Sequence, residues 1–175
     1  MTNTSFISND NIFSGYVMLK LEPRNYNWLE WIANLTRAHK DIIKEPEFEC
    51  HITIASKIHK DDVVNFDKRI SPAINLCDVI KAEQEATYFD NNLSVAKFDV
   101  KDSVSLSTLF HYRNEVFCHC RCLETYPNFH PHITIAYLYK NCRLPLYTKK
   151  EFPNEFIIKG ITFSIHDEKD NMITW

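Results

Sequence analysis

Apolar and polar residues alternate along several short stretches of the chain, and one longer stretch follows helical spacing instead. Residues 15–22 (GYVMLKLE) put Tyr16, Met18 and Lys20 on one face of a strand and Val17, Leu19 and Leu21 on the other. Pro23 stops it. Across residues 26–39, Trp28, Ile32 and Leu35 recur on one stripe that Leu29 and Trp31 widen, which predicts an amphipathic helix. A charged connection over 40–49 leads to a second alternating run. Asp61 and Asp62 open a short helix through Arg69, with Pro72 ending it. Strand character returns near 77–80 and 87–89. Asn91-Asn92 reads as a hairpin turn into the strand 93–100 (LSVAKFDV). Residues 103–122 have helical spacing, with Ser103 or Ser105 as the cap. A break at Tyr126-Pro127-Asn128, a Pro145 loop and a last strand over 155–166 (EFIIKGITFSIH) complete the pattern. Residues 1–14 form a loose polar arm, and 167–175 a polar tail ending in Trp175.

Two of the alternating runs are identical. His51-Ile52-Thr53-Ile54-Ala55 recurs as His132-Ile133-Thr134-Ile135-Ala136. On a strand, His51 and Thr53 share one face and Ile52 and Ile54 the other, and the second copy repeats this. The isoleucines therefore belong to the core, and the two His/Thr pairs to one cleft. Each copy closes a strand–helix–strand unit, first from Gly15 to Ala55 and then from Leu93 to Ala136, with the histidines at 51 and 132, 81 positions apart. An internal duplication of this kind predicts two similar lobes about a pseudo-two-fold axis, over about 15–75 and 93–140, with the strand 155–166 completing a sheet. The expected architecture is one α+β domain over 1–175, its antiparallel sheets lining a central cleft and its helices outside.

Composition narrows the chemistry. The 175 residues suffice for one domain with its own core. A formal charge of −3 gives no broad basic field of the sort long nucleic acid needs, though a local pocket for a small anion remains open. Only Gly15 and Gly160 occur, which excludes a Gly-rich dinucleotide fingerprint and a P-loop. The polar start lacks an apolar leader and no apolar run approaches membrane-spanning length, so a cytoplasmic protein with six reduced cysteines and no membrane partner is expected.

The two matched His-x-Thr motifs, each on a strand among apolar residues, resemble those of the 2H phosphoesterase superfamily. Its members include RNA 2′,3′-cyclic phosphodiesterases, viral 2′,5′-oligoadenylate phosphodiesterases and phage anti-CBASS phosphodiesterases. The opening strand GYVMLKLE, the small size and the tail closing on Trp175 are similar to the anti-CBASS group. The polar arm and the Cys/His-rich second helix depart from it. The resemblance implies a metal-independent phosphodiesterase without cofactor that degrades small cyclic or 2′–5′ oligonucleotide messengers of an antiviral response. It assigns acid and base to His51 and His132, in either order, and offers Tyr16 and Trp175 as base-stacking residues and Glu168 as a base-edge acceptor.

The chemistry agrees with that assignment. Metal-free phosphodiester cleavage needs one group to take a proton from the attacking oxygen and one to give a proton to the leaving oxygen, and imidazole does both near neutral pH. Thr53 and Thr134 hydroxyls are placed to stabilise charge on the phosphoryl oxygens. Lys57, on the expected His51 face, and His130, two residues before His132, are further binding candidates. Cys118, His119, Cys120 and Cys122, with His130 and His132 at i, i+2, raise a competing zinc reading, but the spacing lacks paired CxxC ligands, and the expectation is no metal. RNA end processing on 2′,3′-cyclic phosphates and a non-catalytic nucleotide sponge are the other functions the sequence leaves open.

Overall fold

A computed structural model describes residues 12–90, 94–123, 128–145, 152–166 and 172–174. Most of residues 1–14, Asn91-Asn92, Tyr126-Pro127, Glu168 and Trp175 lie outside the described residues. Strand β1 (Gly15–Pro23) leads to helix α1 (Trp28–Ala38) and two strands, β2 (Ile43–Pro46) and β3 (His51–Ile58). A helical stretch follows: a 3-10 turn at Lys60–Asp62, one α turn α2 (Val63–Asn65), a π turn at Phe66–Ile70 and a 3-10 turn at Ser71–Ala73. Strands β4 (Val79–Lys81), β5 (Ala86–Asp90) and β6 (Ser94–Asp99) precede helix α3 (Ser103–His119). Strands β7 (His132–Leu138), β8 (Glu155–His166) and β9 (Met172–Thr174) complete the order.

The strands form two antiparallel sheets. One runs β3-β1-β8-β4 with β9 added on β8, and the other runs β2-β7-β6-β5. Together with the helices they make the α+β architecture that the patterning predicts. The likeness of the two phrases extends to register. Val17 pairs with Ala55 and Met18 with Thr53, so Ile54 is an extra residue in β3; Ala96 pairs with Ala136 and Lys97 with Thr134, so Ile135 is extra in β7. Each HITIA phrase thus carries a bulge at its fourth residue, and the copies bend alike. Ile52, Ile54, Ile133 and Ile135 are all fully buried.

The segments after the helices cross between sheets. β2 follows α1 yet pairs with β7, and Cys122, just past α3, bridges to Ile58 at the end of β3. This swap runs β3 against β7 where the sheets meet, although the two strands are not hydrogen-bonded neighbours. The charged connection expected over 40–49 therefore contains a strand. Sheet membership also cuts across the ranges 15–75 and 93–140, and β8 occupies the interior of its sheet.

Helix α1 straddles both sheets. Trp28 packs on Phe156 of β8, and Trp31 on Phe98 of β6, with ring centroids 6.4 and 5.9 Å apart. Asn27 caps it by accepting from the Glu30 amide. Leu29, expected to widen the stripe, is 59% exposed because it lies one helical step off the Trp28–Ile32–Leu35 face. Asp102, not Ser103 or Ser105, caps α3; its carboxylate accepts from both the amide and hydroxyl of Ser105. Pro72 sits within the last 3-10 turn instead of ending the helix, since proline is compatible with a first turn. The tail is not wholly irregular, because β9 lies within it.

Candidate active site

His51 and His132 each open a strand, and each ring is held the same way. His51 Nδ1 lies 2.9 Å from the Glu49 carbonyl oxygen, and His132 Nδ1 lies 2.9 Å from the His130 carbonyl oxygen. A carbonyl only accepts, so Nδ1 carries the proton and Nε2 is left for chemistry. A neutral ring then acts as a base at Nε2, and a protonated one as an acid there. Thr53 and Thr134 follow on the same faces, both half-buried. Their register partners are Met18 and Lys97.

The surroundings of the two rings differ. Opposite His51 stands Lys20, whereas opposite His132 stands Asp99, beside the buried Lys97. Lys97 Nζ is ion-paired with the Asp99 carboxylate and donates to Thr87 Oγ1 at 3.0 Å; Thr87 in turn donates to Asp99 at 2.8 Å. The Lys97 ammonium also lies 4.3 Å from the centroid of Phe89, whose ring meets His132 edge to face at 4.9 Å. Burial is the main cause of a lowered His132 pKa; Lys97 and His51 push it the same way, against the His130 carbonyl and Asp99. His132 is therefore the ring biased toward the neutral, proton-accepting form.

A cavity of about 360 Å³ lies between the strands, with Thr53 and Ser56 from β3, His132 from β7, and Arg113, Phe129 and His130 among its walls. Arg113 reaches it from α3. Its guanidinium sits over Phe117 and Phe129, 4.5 and 4.6 Å from their centroids, and donates to the Ile54 carbonyl at 3.0 Å. A cation is thus held at the bulge that the repeated phrase creates, next to a cavity lined by His132, His130 and the hydroxyls of Thr53 and Ser56. Such a set provides proton transfer and stabilises an anionic phosphoryl group.

The other expected binding residues fall as follows. His130 is exposed on the cavity rim, and its carbonyl orients His132. Tyr16 shares the sheet face of Met18 and Lys20, half-buried opposite Ser56, and is not among the side chains lining this cavity. Lys57 does not follow the His51 face. It adopts a φ of 53° at a second irregularity in β3 and is exposed, while Ser56 takes the cleft position. The extra residue Ile54 shifts the alternation. Glu168 and Trp175 lie outside the described residues. Thr134 and His51 stand beside the cavity without lining it.

Ser56, Arg113 and the Lys97–Asp99 pair were not singled out from sequence. The pair had a signal, two opposite charges at alternate positions on the strand that faces the second motif. Arg113 had none, since 59 positions separate it from Ile54. α3 ends at His119, so Cys120 and Cys122 do not continue its face. Burial pushes the Cys120 thiol up to about 12. Among the described residues no group of three or more His, Cys, Asp or Glu converges as metal ligands.

The fold and the paired strands define a 2H-phosphoesterase-like architecture. Kluyveromyces marxianus Usb1 shares it at 12% identity, with a TM-score of 0.57 over 95% of this chain and 98% of that one. Escherichia coli LigT complexed with 3′-AMP shares it at 10% identity, with a TM-score of 0.60 over 93% of each chain. Usb1 with uridine monophosphate superposes with a TM-score of 0.53 at 10% identity, over 95% of this chain and 98% of that one. No family model and no curated protein matches the sequence.

Proposed function

We propose that the chain is a metal-independent phosphodiesterase that cleaves small cyclic oligonucleotide messengers, acting in the cytoplasm of a host cell to blunt CBASS-like antiviral signalling. Two equivalent histidines, each fixed at Nδ1 by the carbonyl two residues earlier, support the reading, with His132 lining a cavity that Arg113 also lines. The similarity of fold to LigT and Usb1, solved with 3′-AMP and uridine monophosphate, supports a small nucleotide ligand. The messenger class and the antiviral role rest on the resemblance of the opening strand and tail to the anti-CBASS group.

His132 is assigned the base because burial favours its neutral ring. For a 3′–5′ linkage, it takes the proton of the ribose 2′ hydroxyl as that oxygen bonds to phosphorus. The bond from phosphorus to the 5′ oxygen breaks, and His51 Nε2–H protonates the departing oxygen. The products are a 2′,3′-cyclic phosphate and a free 5′ hydroxyl. Thr53, Thr134 and Arg113 stabilise the phosphoryl oxygens as charge builds.

Purified protein incubated in EDTA with cyclic di- and trinucleotides, linear 2′–5′ oligoadenylate and a 2′,3′-cyclic-phosphate RNA end tests this. Turnover of a cyclic oligonucleotide is expected. Cleavage of only the 2′–5′ or the RNA-end substrate moves the activity to those branches, and binding without product makes the chain a sponge.

A further inference from the structure

A second cavity, about 510 Å³, adjoins the first and shares Phe89, Phe129 and His130 with it. Both cavities fall within the roughly 300–1,000 Å³ usual for small-ligand sites. The wall away from the histidines is built by Lys101, just before α3, and by Leu106 and Phe110 on that helix. Phe110 is 43% exposed although it is large and apolar, so the core does not account for its position. It meets Phe129 edge to face at 5.3 Å. Lys97 and Asp99 also line this cavity, but they neutralise each other, which leaves the exposed Lys101 as its net charge. Aromatic surface beside a single cation matches a nucleobase and its phosphate.

From this continuity we infer that the second cavity is a subsite for a second nucleoside, its base stacked at Phe110 and Phe129 and its phosphate near Lys101. The preferred substrates are then oligonucleotides of at least two residues, not mononucleoside cyclic phosphates. The inference rests on the phosphodiesterase reading for the position of the scissile bond, but not for the existence of the subsite.

Kinetics and binding together test it. For wild type, Phe110→Ala and Lys101→Ala, kcat/KM is measured on a 3′,3′-cyclic dinucleotide and on a nucleoside 2′,3′-cyclic monophosphate. Binding of a phosphorothioate analogue of the cyclic dinucleotide is followed by calorimetry. Phe110 is on an exposed helix surface and alanine favours helix, so the variant folds. Phe110→Ala is expected to lower the dinucleotide-to-mononucleotide ratio of kcat/KM roughly 10- to 100-fold, the loss of one base–aromatic stack, and to weaken the analogue similarly. Lys101→Ala is expected to weaken the analogue in a salt-dependent way. An unchanged ratio with unchanged analogue binding overturns the subsite and leaves the phosphodiesterase reading standing. Analogue binding that Phe110→Ala weakens, without turnover of either substrate by wild type, supports the subsite and overturns the catalytic reading. Neither binding nor turnover by wild type overturns both.

Discussion

His51 and His132 occupy the same place in the same five letters, yet His132 has the Lys97–Asp99 ion pair beside it and His51 has Lys20 opposite. Replacing either with alanine removes one proton-transfer group, so each substitution should lower kcat by roughly 10²–10⁴-fold. Circular dichroism should show the fold retained, since both side chains stand on the cleft face and not among the buried isoleucines. The pair makes a finer prediction. Lys97 lowers the His132 pKa and Asp99 raises it. Lys97→Met removes the positive charge and leaves the negative one, so the His132 pKa rises. If His132 is the base, the acid limb of the kcat/KM profile moves to higher pH; an unmoved limb would separate His132 from that role.

At the scale of elements, the site depends on where strands bulge and where segments cross. The alternating runs made β1, β3, β6, β7 and β8 legible, and Trp28, Ile32 and Leu35 made α1 legible. The bulges at Ile54 and Ile135 were not, because an extra residue in a strand leaves no mark in composition. That omission misplaced Lys57 and hid Ser56. β2 was hidden by its brevity and by Lys44, Glu45 and Pro46, residues that suit a short edge strand but also suit a loop. Asp62 lies in the first turn of the helical stretch after β3, as expected, and is also buried, accepting from Arg121 through both side chain and backbone amide and so joining that stretch to the segment just past α3. Asp62→Ala should cost about 1–3 kcal/mol, measured by urea unfolding, because it removes the charge-assisted hydrogen bonds that tie Arg121 to a buried carboxylate. The glycines separate similarly. A Cβ at Gly15 would lie 2.7 Å from Phe163 Cζ and 2.8 Å from the Ile58 carbonyl oxygen, while one at Gly160 meets only Lys20 Cβ at 4.0 Å. Gly15→Ala should therefore destabilise by about 1–3 kcal/mol, and Gly160→Ala should stay within about 1 kcal/mol of wild type.

Across the whole molecule, α1 braces both sheets and the swapped segments hold β3 against β7, so the cleft is a consequence of the fold. None of the helices among the described residues is long and apolar enough to cross a membrane. Acid should weaken this assembly in two windows. His132 has a folded pKa below its ordinary 6.5, so the unfolded chain binds its proton first and stability is lost as pH falls below 6.5. Asp62, held down by the Arg121 hydrogen bonds, and Asp99, where bonds from Lys97 and Thr87 outweigh burial, lose their contribution only as pH falls below 3.8. Melting temperatures of wild type and His132→Gln should diverge in the first window alone. Division of the proton transfers between two histidines is read from the pH dependence of kcat/KM in EDTA on the best-cleaved oligonucleotide. A bell is predicted, its acid limb centred below 6.5 and set by His132, with an alkaline limb where the general acid is lost. A flat profile between about pH 5 and 8 would contradict it.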